Sequence, residues 1–161
     1  MDKSLNDYVE IYKAELDKGD IQIAYEKLLK YVMALTVHFQ KVLPDSYTYG
    51  NVYLGFMDYT YFYFFNDFLC SKKLRFGIVL NHPKMRFELW LLGQNVEVQR
   101  RYWELLKTTK WNAGRTTMPK YAQLEAALVE NTDFSDLDAL SDEIGTAAQK
   151  IIQEIMPYLQ D

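Results

Sequence analysis

Two alternating segments joined by a short polar turn constrain this chain more than anything else in it. Leu74, Phe76, Ile78 and Leu80 alternate with Arg75, Gly77, Val79 and Asn81. Met85, Phe87, Leu89 and Leu91 alternate with Arg86, Glu88, Trp90 and Leu92. A period of two belongs to strands with one face in a core, and Asn81-His82-Pro83-Lys84 between them reads as a hairpin turn. That turn pairs Leu80 with Met85 and Ile78 with Phe87 on the inner face. On the other face it sets Arg75 across from Trp90, Gly77 across from Glu88, and Val79 across from Arg86. A slip of one residue would put Arg86 and Glu88 opposite Ile78 and Phe76 on the buried side, so the choice of face is strongly specified.

The flanking sequence supplies the helices. Ser4 is placed to cap a first helix to about Lys18, with Leu5, Tyr8, Tyr12 and Leu16 on one face. Gly19 closes it and Asp20 caps a second helix, Ile21 to about Val42, whose apolar stripe includes Leu28, Val32, Leu35 and Phe39 before Pro44 stops it. Residues 51–65 are aromatic and β-branched and read as a strand. A third helix is expected from Asn95 to Lys107, a loop over Thr108–Lys120, a strand over Tyr121–Glu130, and a last helix from Ser135 or Asp136 to about Leu159. The fold class is therefore α+β: an antiparallel sheet of about four strands packed with an N-terminal helical hairpin and a C-terminal helix, in the order α-α-β-β-β-α-β-α. At 161 residues the chain fits a single domain, 1–161.

Three stretches carry a resemblance. Asp58-Tyr-Thr-Tyr-Phe62, the hairpin Leu74–His82 with Arg86–Leu91, and Asp133–Leu140 resemble an uncharacterised bacterial family of small cytoplasmic proteins, a domain of unknown function. The likeness spans nearly the whole chain in pattern and length. It implies a bacterial, cytoplasmic, single-domain protein and brings no catalytic residues with it.

Composition excludes several classes. The single cysteine, Cys70, rules out an internal disulfide framework and a multi-cysteine metal site, and suits a reducing compartment. The longest apolar run, Tyr59–Phe65, is far too short to span a bilayer, so no membrane partner is expected. A net charge of −4 disfavours non-specific nucleic-acid binding by the whole molecule. The charge is uneven, however: residues 1–99 sum to −1, residues 100–120 to +5, and residues 121–161 to −8.

Two regions are candidate sites. The first is the outer hairpin face with its preceding strand: Asp58, Arg75, Arg86, Glu88 and Trp90. Unpaired charges on a core sheet cost several kcal/mol, so these groups must be wet, paired or lining a cavity for a small polar or anionic ligand. The bland account is a solvated face with an Arg75–Trp90 cation–π contact worth roughly 0.5–1 kcal/mol. An enzymatic version places a divalent metal between Asp58 and Glu88, as in restriction-like nucleases, but the residue two after Glu88 is Trp90 rather than lysine. The second region interleaves Arg100, Arg101, Lys110 and Arg115 with Tyr102, Trp103 and Trp111, a mix that holds phosphates and stacks on rings. Its alternative role is to face the acidic C-terminal segment, within the fold or in a homodimer. No helix-turn-helix, zinc finger or glycine-rich loop accompanies it, so specific DNA reading is not expected. A third stretch, with eleven of the 25 aromatics between Tyr47 and Phe68, suits a buried strand that borders a cavity. His38, His82 and Cys70 offer no metal-ligand or nucleophile spacing and read as solvated or structural. The sequence names no cofactor, and the functional expectation is a binding or interaction module, with the Asp58–Glu88 hydrolase and the anion or nucleic-acid binder as alternatives.

Overall fold

The computed structural model describes residues 1–160. They form two compact units, Met1–Tyr31 and the chain from Val32 onward. In the first unit, α1 (Leu5–Lys18) starts at a reciprocal cap: Ser4 Oγ accepts from Asp7 N while Asp7 Oδ2 accepts from Ser4 N at 2.8 Å. Gly19, at φ 81°, ends it in the left-handed conformation, its N–H donating to Leu16 O. No residue of α1 is buried, so Leu5, Tyr8 and Tyr12 stand exposed. α2 (Asp20–Val42) begins in this unit, with Asp20 as its first helical residue rather than its cap.

The second unit is built on one antiparallel sheet of five strands in sequential order: β1 (Thr48–Tyr49), β2 (Tyr59–Phe65), β3 (Leu74–Asn81), β4 (Arg86–Gly93) and β5 (Leu124–Val129). The expected order of elements holds, with the two-residue β1 and a short helix α3 (Asp67–Ser71) added. The strand expected near 121–130 is β5, and α4 (Val96–Leu106) and α5 (Leu137–Leu159) start at the Asn95 and Asp136 caps.

Alternation decides the core. Phe62, Phe64, Phe76, Ile78, Leu80, Phe87, Leu89 and Leu91 are all at most 1% exposed. They meet Val32, Leu35 and Phe39 from the end of α2 and Ile144, Ala148, Ile152 and Ile155 from α5, each set recurring at helical spacing. Phe39 seats between Phe62 (5.7 Å, edge to face) and Phe64 (6.1 Å). Gln149 of α5 donates to Val42 O at 2.9 Å, and His38, mostly buried rather than solvated, has Nε2 at 3.7 Å from Asp142 Oδ1.

One expectation needs correction. The hairpin pairs Leu80 with Phe87, Ile78 with Leu89, Gly77 with Trp90, Val79 with Glu88 and Asn81 with Arg86, a register two residues away from the expected one. A two-residue turn over His82-Pro83 would need positive φ at both positions in type I′, which proline's ring forbids, or positive φ at His82 in type II′, where glycine is favoured and the following proline pushes the residue toward extended backbone. The loop instead takes four residues, His82–Met85, and Met85 (φ 47°) supplies the left-handed closure. A two-residue shift leaves the side chains within the strands on their faces and changes every cross-strand neighbour, while Met85, expected inward opposite Leu80, falls in the loop and is exposed.

Candidate functional site

Tyr59, Tyr61, Tyr63, Arg75, Val79, Glu88, Trp90 and Leu92 lie on the sheet face opposite the main core. Its centre is not a solvated surface as expected. Val79, Trp90 and Ala122 are buried there, with Tyr59, Tyr61 and Leu92 packed against them. Two segments extend the sheet edgewise beside these strands. Tyr53 pairs with Tyr61 through both backbone bonds (2.7 and 3.0 Å), and their rings stack at 5.0 Å. On the other side Gln123 N donates to Leu91 O, and Gln123 Oε1 accepts from Gly93 N at 2.6 Å.

Glu88, 1% exposed, is the polar centre of this layer. Its Oε1 accepts from Trp90 Nε1 at 2.8 Å, and its Oε2 accepts from Arg86 Nε at 2.6 Å and Asn81 Nδ2 at 3.1 Å. Arg86 then reaches the exposed Glu130 at 2.8 Å. The register explains the set: Asn81 and Arg86 are a cross-strand pair, and Glu88 follows two residues on along the same face. The expected Arg75–Trp90 contact is not made. Trp90 is committed to Glu88, while Arg75 lies across from Leu92 with its guanidinium 4.3 Å from the Tyr63 ring.

Beside Trp90 the face opens into a cavity of about 350 Å³, bordered by Asp58, Tyr59, Tyr61, Trp90, Leu92 and Tyr121. Tyr59 meets Trp90 edge to face at 4.9 Å, and Tyr121 lies nearly parallel to Trp90 at 6.3 Å and 12°. Asp58 sits at the cavity's edge because the chain turns sharply before β2. Gly55 has φ 76°, and a Cβ there would fall 2.2 Å from Tyr59 O, so no side chain fits. Asp58 Oδ1 accepts from Phe56 N (2.9 Å) and Tyr59 N (2.7 Å). These two backbone donors hold its carboxyl below the usual range, so it is charged at neutral pH. Burial pushes the Tyr59 phenol up, and Glu125, Glu88 and Asp58 push it further in the same direction. Asp58 therefore sets a negative charge at the cavity's edge, whereas Glu88 and Glu125 are each paired with an arginine.

The same turn is tied to the hairpin. Thr60 Oγ1 donates to Leu54 O at 2.7 Å and contacts His82 Nε2 at 2.8 Å. With the hydroxyl proton spent on Leu54, Nε2 must carry the hydrogen that Thr60 accepts. His82 is thus half-buried rather than solvated, and burial lowers its pKa below the ordinary 6.5, against a smaller opposing pull from Asp58. Because the unfolded chain protonates more readily than the native one, stability is expected to fall as pH drops below about 6.5. Urea midpoints between pH 8 and 5 check this: the difference between wild type and His82→Gln must shrink toward acid, and a pH-independent difference contradicts it.

Asp58 and Glu88 do separate jobs, one accepting backbone N–H groups and the other three side-chain donors. Among the described residues no group of three or more His, Cys, Asp or Glu could hold a metal ion. A family model for a domain of unknown function, DUF7000, matches residues 5–159. The chain belongs to the DUF7000 family. No match was found among curated proteins or among solved structures. None of the described helices is long and apolar enough to cross a membrane.

In this DUF7000 domain the basic segment is divided rather than gathered. Arg100 and Arg101 project from α4, and Arg101 lies 5.5 Å from the Tyr102 ring. Lys110, over the Trp111 ring at 5.2 Å, pairs with Glu154 of α5 at 3.0 Å, and Arg115 pairs with Glu125 of β5 at 3.3 Å. Two of the cations thus face the acidic C-terminal segment within the fold. The loop carrying them is anchored by Asn112, fully buried, whose Nδ2 donates to Leu106 O and Gln123 O. Sequence reasoning missed Tyr59, Tyr61 and Tyr121 as individual cavity walls. The odd-numbered alternation along β2 marks the first two, whereas Tyr121 reaches Trp90 only through the β4–β5 pairing.

Proposed function

We propose that this DUF7000 domain is a small binding module whose ligand is an alkylated ammonium cation held in the aromatic cavity beside Trp90. The observation that carries the reading is an ionised carboxylate, Asp58, at the edge of a cavity bordered by Tyr59, Tyr61, Trp90 and Tyr121. Ring faces attract a cation by roughly 0.5–1 kcal/mol each when exposed and about 2 kcal/mol when water is excluded. Glu88 and Glu125 are paired with Arg86 and Arg115, so the Asp58 carboxylate is the charge that favours a cation over an anion at this place. The exposed, unpaired Cys70 supports a reducing compartment, the cytoplasm.

Calorimetric titration with choline and with its neutral carbon analogue, 3,3-dimethyl-1-butanol, tests the reading. Choline should bind and the neutral alcohol should not. Asp58→Asn keeps the Oδ1 acceptor for Phe56 and Tyr59 and removes only the charge, and it should weaken choline about tenfold, or ~1.4 kcal/mol. Equal affinity for the two probes, or no binding of choline at millimolar concentration, refutes the proposal.

A further inference from the structure

On the same sheet face, two positions further along β2, a second and chemically opposite cleft stands apart from the Trp90 cavity. It encloses about 310 Å³ and is lined by Tyr63, Phe65, Lys73, Arg75 and, on α3, Cys70. Its floor is aromatic: Tyr63 and Phe65 stack at 6.4 Å and 21°. The Tyr63 ring is held in place from below, since even a Cβ on Gly50 would come within 2.4 Å of it. Its rim is cationic. Among the described residues Arg115, Lys110 and Arg86 have carboxylate partners, whereas neither Lys73 nor Arg75 has one. Arg75 is spread over Tyr63, which fixes its planar fork without occupying its N–H donors. Lys73 projects from a left-handed residue (φ 59°) that turns the chain from α3 into β3, and it also borders a neighbouring cleft with Lys72 and Arg101.

We infer that this cleft binds a planar ring bearing a phosphate, of the nucleoside monophosphate class. The ring stacks on Phe65 and on the outer face of the Arg75 guanidinium that Tyr63 supports, and the phosphate is taken by the in-plane N–H donors of Arg75 and the Lys73 ammonium. Arginine offers parallel N–H donors to two phosphate oxygens, and lysine adds a point charge. The volume is at the lower end of small-ligand sites, which run from about 300 Å³, and is of the size of one nucleotide. The inference does not rest on the Trp90 cavity, which uses other residues and the opposite charge.

Titration of the full chain with adenosine 5′-monophosphate, adenosine and inorganic phosphate tests it. The monophosphate should bind at least tenfold tighter than either fragment, weaken as sodium chloride is raised, and slow alkylation of Cys70 by iodoacetamide. The double variant Lys73→Gln/Arg75→Gln, at positions outside the main core, should weaken it at least tenfold, while Asp58→Asn should leave it unchanged. The inference is overturned if the monophosphate does not bind at millimolar concentration, if adenosine binds equally well, or if the double variant binds like wild type. It is also overturned if a ten-residue oligouridylate binds far more tightly than the monophosphate, which would make the cleft part of a single-strand track.

Discussion

Glu88→Ala is expected to destabilise the fold by about 3–5 kcal/mol, read as a lowered urea midpoint with an unchanged slope. The carboxylate is 1% exposed and accepts from Arg86, Asn81 and Trp90, and alanine leaves all three donors without an acceptor. Arg86 retains Glu130, so the cost falls on its Nε and on the Trp90 and Asn81 donors, which lose their acceptor inside the layer. A loss of this size is a large share of the roughly 5–15 kcal/mol that holds a domain together. Replacing both charges, Glu88→Leu with Arg86→Met, should cost less than Glu88→Ala alone, because the pair's desolvation penalty goes with it. A Glu88→Ala loss below about 1 kcal/mol would mean that the three donors find water, and that this layer is open rather than packed.

Phe62→Ala should cost a similar amount, about 3–5 kcal/mol, for a different reason. Phe62 is fully buried against Phe39 at 5.7 Å, Tyr49 at 6.3 Å and Phe64 at 6.4 Å, and a truncated side chain leaves a cavity that five antiparallel strands and the end of α2 cannot close. The control is the next residue. Tyr63 is only partly buried and belongs to the other face, so Tyr63→Ala should cost less than half as much in the same denaturation experiment. Equal losses at 62 and 63 would contradict the assignment of the two faces.

The hairpin illustrates how much of this was legible. Even-numbered residues 74–80 and odd-numbered residues 87–91 point inward as their alternation requires, because a strand's two faces are fixed by its own backbone, whereas Met85, expected with them, lies in the loop and is exposed. The pairing between them was not legible from that pattern. Shifts by two keep the faces, and the choice among them fell to a turn in which His82-Pro83 suits neither of the two-residue hairpin types. That shift moved Trp90 from Arg75 to Gly77 and turned an expected cation–π pair into the Glu88 cluster. The basic run shows the same division: its charge was plain in the sequence, but the pairing of Lys110 with Glu154 and Arg115 with Glu125 depends on where α5 and β5 fall.

The sequence by itself determined the α+β class, the order of the elements, the helix cap at Ser4, the starts of the later helices near Asn95 and at Ser135 or Asp136, and which side of the two hairpin strands faces the main core. All of these follow from residues within one turn or one strand of each other. Tertiary structure alone decided that Glu88 is buried and satisfied, that Tyr121 joins Tyr59 and Trp90 around one cavity, and that Lys73 and Arg75 meet Tyr63 and Phe65 in another. Those groupings join residues far apart in the chain, and only the closed sheet, with its particular register, brings them within reach.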